Sequence, residues 1–302
     1  MTRPRSRALR IRLLRVLVPC AALLVGATAA WAGTTFSADG TAARKARFRH
    51  VILIVFENHE ADDVLGSSNA PTFNRLANRY ATIGNYTAVA HPSLPNYLAL
   101  VSGSTQGIES DCTSCLVDGR SLADTLQASR KTWKTYAEGL PSAGFTGVSS
   151  ERYVRKHVPF LYFRRNLTPT RLRRIVPLTR FLPDLRARRL PTFSLVVPDL
   201  CHDMHDCGVA TGDAWLSGFL KPLLRGSALR NSVVFVVFDE GTSDDGGGGH
   251  VPALAIGPLV RRHASTSAPI DHYGLLRTIE QGLRLPLLGR SATARSITGI
   301  WR

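Results

Sequence analysis

The chain is predicted to fold as an α/β domain, a mostly parallel sheet with helices on both faces that makes a three-layer α/β/α sandwich. Three observations predict it. Continuous apolar, β-branched runs occupy Val51 to Phe56, Phe193 to Val197 and Val233 to Phe238. Segments with helical spacing lie between them, as a parallel sheet requires of its crossovers. Acidic residues follow directly after each run, where open α/β sheets place their ligands.

The elements follow in order. Val51 to Phe56 reads as a buried strand and Pro71 to Arg79 as a helix with Pro at its first position. Ser93 is placed as the N-cap of a helix running through Leu98 to Val101, with Pro95 tolerated in the first turn because its missing N–H has no partner there anyway. Leu122 to Ser129 and Asp213 to Leu224 carry apolar residues at helical spacing, and Tyr273 to Leu283 is an amphipathic helix after His272. The Pro- and Arg-rich stretch 168–191 is the one candidate insertion or lid.

The ends of the chain and its composition bound the class. With 44% hydrophobic and 20% charged residues over 302 positions, the chain is neither a disordered polyelectrolyte nor a multi-span membrane protein. Six Arg precede an apolar run from Val16 that ends in Ala30-Trp31-Ala32, the pattern of a secretory signal. Residues 1–32 are therefore expected to be a signal peptide and 33–302 one secreted or extracytoplasmic domain, an uncleaved anchor being the alternative. Cys20 belongs to the discarded segment. Cleavage lowers the formal charge from +16 to +10, still basic enough to favour anionic partners. Much of the excess lies in 152–189, where nine Arg from Arg164 to Arg189 face one acid, Asp184. A solvated face or an anionic lipid surface fits this stretch; regular aromatic interleaving for nucleic acid is missing, and no protein partner is implied. Export also sets the reading of Cys112, Cys115, Cys201 and Cys207 as two short-loop disulfides rather than a zinc site, since only the first pair has CxxC spacing.

The strand ends carry the chemistry. Glu57, Asn58 and His59 follow the first run; Asp199, His202, Asp203, His205 and Asp206 follow the second; Asp239 and Glu240 follow the third, with His250 after Gly246 to Gly249. Singly, each acid is an ordinary turn or cap residue. Together, Glu57, Asn58, Asp239 and Glu240 make an oxygen-rich site suited to a divalent cation, with Mg, Mn, Ca, Zn and Fe all open. Ser93 supplies a nucleophile at a helix N-terminus, and Asn96 shares its helix face.

The segments Glu57-Asn58-His59, His91-Pro92-Ser93-Leu94-Pro95-Asn96-Tyr97, Asp203-Met204-His205-Asp206-Cys207, Thr211-Gly212-Asp213, Phe238-Asp239-Glu240-Gly241, Gly248-Gly249-His250-Val251-Pro252 and His272-Tyr273 resemble the bacterial phosphoesterase family. That family holds acid phosphatases, phosphatidylinositol-3-phosphatase-like proteins and larger phospholipases C, within the alkaline phosphatase superfamily. The resemblance implies an alkaline-phosphatase-like fold and a metal-dependent phosphoesterase acting on phosphate esters through a phosphoserine at Ser93. It implies that Glu57, Asn58, Asp239 and Glu240 bind the metal and that Asn96, His205 and His250 contact the phosphoryl oxygens, with Asp206 and His91 as further candidates. A second metal at Asp199, His202 or His205 stays open. Without the long carboxy-terminal region of the phospholipases C, the chain looks like the short phosphomonoesterase branch; a phospholipase C-type phosphodiesterase is the alternative, and a non-enzymatic binder of anionic envelope polymers ranks last. Two positions depart from the family: Glu60-Ala61 replaces a small or polar then aromatic pair, and His202 stands where relatives often have Asn.

Overall fold

A computed structural model describes residues 46–225 and 229–302; the expected signal peptide 1–32 and the first residues of the expected domain lie outside them. The strands of the main sheet are β1 (His50–Phe56), β2 (Ala81–Ile83), β3 (Trp133–Ala137), β4 (Ile175–Pro177), β5 (Phe193–Val197), β6 (Ser232–Phe238), β7 (Ala253–Ile256) and β8 (Ala264–Thr266). The principal helices are α1 (Pro71–Arg79), α2 (Ser93–Ser102), α3 (Leu122–Ala128), α4 (Val209–Leu224) and α5 (His272–Leu283).

The sheet runs β8-β2-β7-β6-β1-β5-β3-β4, and β7 alone is antiparallel to its neighbours. The three apolar runs are its centre: β1 lies between β5 and β6, with Val51 opposite both Phe193 and Val233. All three are buried almost throughout, because strands covered on both faces need no polar alternation. Helices pack around this sheet, α1 against α4 and α2 against α5, completing the three-layer sandwich.

Three boundaries differ from expectation. Ser93 is the first helical residue of α2, and Pro92, extended at φ −80° and ψ −159°, holds the cap position. The capping is done from elsewhere, since the Leu94 N–H donates to the Asp111 carboxylate at 2.9 Å, leaving the Ser93 hydroxyl for other partners. α4 begins at Val209 rather than Asp213, whose carboxylate instead accepts from the Thr72 and Phe73 N–H groups at 2.8 and 2.9 Å and caps α1. The stretch 168–191 does not stand off as a lid. It supplies the edge strand β4, buries Phe181, and ties Asp184 to Lys134 at 2.5 Å and the Tyr136 hydroxyl at 2.8 Å. The bonds Cys112–Cys115 and Cys201–Cys207 form as expected.

Candidate active site

In-register pairing gathers the acids. Phe56 and Phe238 are opposite each other in β1 and β6 with their rings stacked at 5.3 Å, so the next residues, Glu57 and Asp239, emerge together at the carboxyl edge of the sheet. Backbone bonds fix the junction: the Asp239 N–H donates to Phe56 O and the Glu57 N–H to Asp203 O, both at 2.9 Å. Asn58 then takes φ 57°, a left-handed turn that Asn tolerates, and its N–H donates to Asp239 Oδ1 at 3.4 Å. His272, buried at the head of α5, donates from Nε2 to Asp239 O at 2.6 Å and accepts the Tyr86 hydroxyl at Nδ1 at 2.8 Å. Burial keeps that imidazole neutral, with its pKa pulled down to about 4.

Ser93 enters this cluster from α2. Its hydroxyl donates to Glu57 Oε2 and Glu240 Oε1, each at 3.1 Å, and Lys156 Nζ stands 3.5 Å from the same oxygen. Lys156 is held by Asp111 Oδ2 at 2.7 Å, the carboxylate that also caps α2. Tyr97, one helical turn after Ser93, donates its hydroxyl to Glu57 Oε1, and His91 holds the other oxygen of Glu240. The ring of His157 stacks on Tyr97 at 5.0 Å, with Nε2 3.3 Å from Glu57 and Nδ1 3.3 Å from Asp203.

The electrostatics are those of crowded, dry anions. Glu57, Asp203, Asp239 and Glu240 are all buried. Burial, and after it the charge of Asp203, pushes the Glu57 carboxyl well up; burial followed by the charges of Glu57 and Glu240 does the same to Asp239. Burial carries Asp203 to about 7. His157 is driven the other way, by burial and then by Lys156 and His205, and stays neutral. Burial works against the charge on Lys156, but its bond to Asp111 and the nearby carboxylates outweigh it and raise its pKa. Asp239 Oδ2, Asp203 Oδ2 and His157 Nε2 are buried without a hydrogen-bond partner. Hard oxygens in excess, a neutral imidazole and polar atoms left unpartnered are the donor set a divalent cation satisfies, so these residues fit one. Glu57, His157 and Asp203 bring ligand atoms within 4.8 Å of one another, as do the half-buried Glu138, Asp199 and His202 further along the same edge.

The structure brings Ser93, Glu57, Asp239 and Glu240 together, with Asn58 adjoining through its backbone. Two expected phosphoryl contacts are differently employed. Asn96 is fully buried, with its oxygen accepting from Val89 and Ala90 N–H groups and its amide donating to Ala90 O and Pro92 O; it pins the 88–92 loop. The His250 ring bonds through Nε2 to Gly84 O at 3.0 Å. His205 stands nearer, its ring 6.2 Å from that of His157 and its Nδ1 2.7 Å from Asp206. His202 bonds to Glu138 and so serves the neighbouring cluster. Glu60, a departure from the family pattern, accepts the N–H groups of Thr242, Ser243 and His250 at 2.7 to 3.0 Å and organises the loop after β6. Sequence reading missed Lys156, His157, Tyr97 and Asp111. Tyr97 had a signal, since it lies four residues after Ser93 on one helix face; the others arrive from distant segments.

The family model described as Phosphoesterase family matches residues 67–286. A phosphatidylinositol-3-phosphatase from Mycobacterium tuberculosis is 35% identical over 294 residues, covering 96% of this chain and 95% of that protein. An acid phosphatase from Aspergillus fumigatus is 30% identical over 255 residues, covering 80% of this chain; the match spans 56% of the fungal protein. Among solved structures, a protein in the alkaline phosphatase superfamily from Vibrio parahaemolyticus aligns with TM-score 0.59 at 16% identity, over 84% of this chain and 72% of that one. A phosphonate monoester hydrolase from Silicibacter pomeroyi aligns with TM-score 0.56 at 11% identity, over 82% and 75%. These two show a shared fold.

Proposed function

Because this chain belongs to the phosphoesterase family and is a phosphoric ester hydrolase, we propose that it is a metal-dependent phosphomonoesterase that acts through a phosphoserine on Ser93. One observation carries the reading: a buried hydroxyl at the head of a helix, donating to two carboxylates at 3.1 Å with an ammonium 3.5 Å away. A divalent cation held by Glu57, Asp239 and Glu240, with Asn58 beside them, would offset the crowded negative charge and lower the pKa of the Ser93 hydroxyl.

The chain's own groups supply the remaining parts. Ser93 gives its proton to Glu57 or Glu240, which already accept its hydrogen bond, and its oxygen attacks phosphorus in line. The Oγ–P bond forms as the bond to the leaving alcohol breaks, and His205, oriented by Asp206, protonates that alcohol. Lys156 and the N-terminal end of α2 face the equatorial oxygens, where negative charge gathers. Water, giving its proton to His205, then attacks phosphorus; the Oγ–P bond breaks, phosphate leaves, and the proton held by Glu57 or Glu240 returns to the Ser93 oxygen.

The relatives, a phosphatidylinositol-3-phosphatase and an acid phosphatase, favour monoesters. The amino-terminal Arg-then-apolar pattern together with two disulfides supports export. The test is hydrolysis of nitrophenyl phosphate against bis-nitrophenyl phosphate, with and without a chelator. Chelator-sensitive monoester turnover is expected, whereas preference for the diester would overturn the monoesterase reading.

A further inference from the structure

The amino end of the sheet, opposite the site just described, carries a second concentration of charge. Three cavities of about 610, 530 and 270 Å³ share walls there. Arg79 lines all three, Arg75 and Arg262 two each, and Lys221, Arg225 and Arg302 complete the rim. No Asp or Glu side chain lines any of them, and among the described residues none of these six cations is in an ion pair. The groove runs along the seam of α1 and α4, from Thr72 and Ser217 to the ends of both helices, and reaches the starts of β2 and β8 and the end of the antiparallel β7, at the amino edge of the parallel strands.

Three of the guanidiniums are held in place by contacts that leave donors over. Arg75 donates to the Thr72 hydroxyl at 3.2 Å, Arg79 lies 5.4 Å from the Tyr80 ring, and Arg302 Nε donates to Val260 O at 3.0 Å. A guanidinium has five N–H donors in a planar fork that matches phosphate oxygens, so most of that capacity faces the groove. Like charges crowded without acids are unfavourable until an anion joins them.

We propose that this groove binds a linear, phosphate-bearing polyanion. Cations spread along a shallow seam between two helices can meet successive phosphates of one chain. Leu220, Leu224 and Val260 form its floor beneath the cations, and charge selects the occupant: basic side chains with no acid among them.

Binding of long-chain inorganic polyphosphate to the full chain carrying Ser93→Ala, which spares the probe from turnover, tests the assignment. Saturable binding that weakens steeply with salt is expected. The triple variant Arg75→Glu, Arg79→Glu, Arg262→Glu should lose about 100-fold in affinity at low salt and flatten the slope of log K against log salt by about 2. Its turnover of nitrophenyl phosphate, measured with Ser93 intact, should stay unchanged, and the matching Gln variant guards against misfolding. Charge reversal at Arg164, Arg165 and Arg173 should leave binding intact. Absence of saturable binding would overturn the proposal. So would binding that survives the triple variant, or binding to phosphatidylglycerol vesicles that depends on the groove and exceeds that to polyphosphate.

Discussion

At the scale of single residues, Ser93 and Lys156 bear the sharpest tests. Ser93→Ala is expected to abolish turnover with nitrophenyl phosphate, and substantial residual kcat would refute the phosphoserine. Lys156→Met should lower kcat about 100-fold, the usual cost of removing one charge-stabilising donor, with Lys156→Arg restoring part of it. Asp111→Asn should act in the same direction and more weakly, because it leaves the ammonium in place but unanchored. An unchanged kcat in Lys156→Met would remove Lys156 from the reaction. The sequence made Glu57, Asp239, Glu240 and Ser93 legible because each sits at a recognisable strand end or helix start. Asn96 and His250 were assigned to phosphate by the resemblance; Asn96 bonds to the backbone at Ala90, and His250 Nε2 to Gly84 O, contacts that sequence alone does not reveal. Lys156 and His157 were hidden inside a stretch so rich in Arg that its charge read as surface.

Whole elements respond to pH and to their cross-links. Glu280 of α5 is buried and accepts the Ser291 hydroxyl at 2.5 Å, and burial lifts its pKa from the ordinary 4.5 to about 8. The folded chain therefore holds a proton that the unfolded chain releases above pH 4.5. This group favours folding most in acid, and its contribution is lost as pH rises toward 8. Glu280→Gln should flatten the pH dependence of the thermal midpoint over that window, and an unaltered profile would contradict the assignment. Asp111 adjoins Cys112, so the Cys112–Cys115 bond restrains the carboxylate that caps α2 and anchors Lys156. Cys112→Ser with Cys115→Ser is expected to reduce kcat more than it raises KM. The central strands were legible because β-branched runs buried on both faces admit few other conformations. The edge strands β4 and β8 and their short neighbour β2 have three residues each, too short for a period, and pairing alone makes them strands.

For the molecule as a whole, a chelator should lower both turnover and the thermal midpoint, since a cation bound only by the folded chain stabilises it, and a divalent metal should restore both. An unmoved midpoint and unmoved turnover would argue that the buried carboxylates manage without one. The sandwich could be read from the alternation of strand and helix, but the place of 168–191 could not, because β4 becomes a strand only against β3. Finally, the sheet acts as a spacer. β1 has seven residues, so about 23 Å of strand at 3.3 Å per residue lies between its carboxyl end, before Glu57, and the amino edge where Arg79, Arg262 and Arg302 gather. A phosphate bound between those guanidiniums at the amino edge is thus kept apart from Ser93, and a polymer held there would moor the enzyme rather than serve as its substrate.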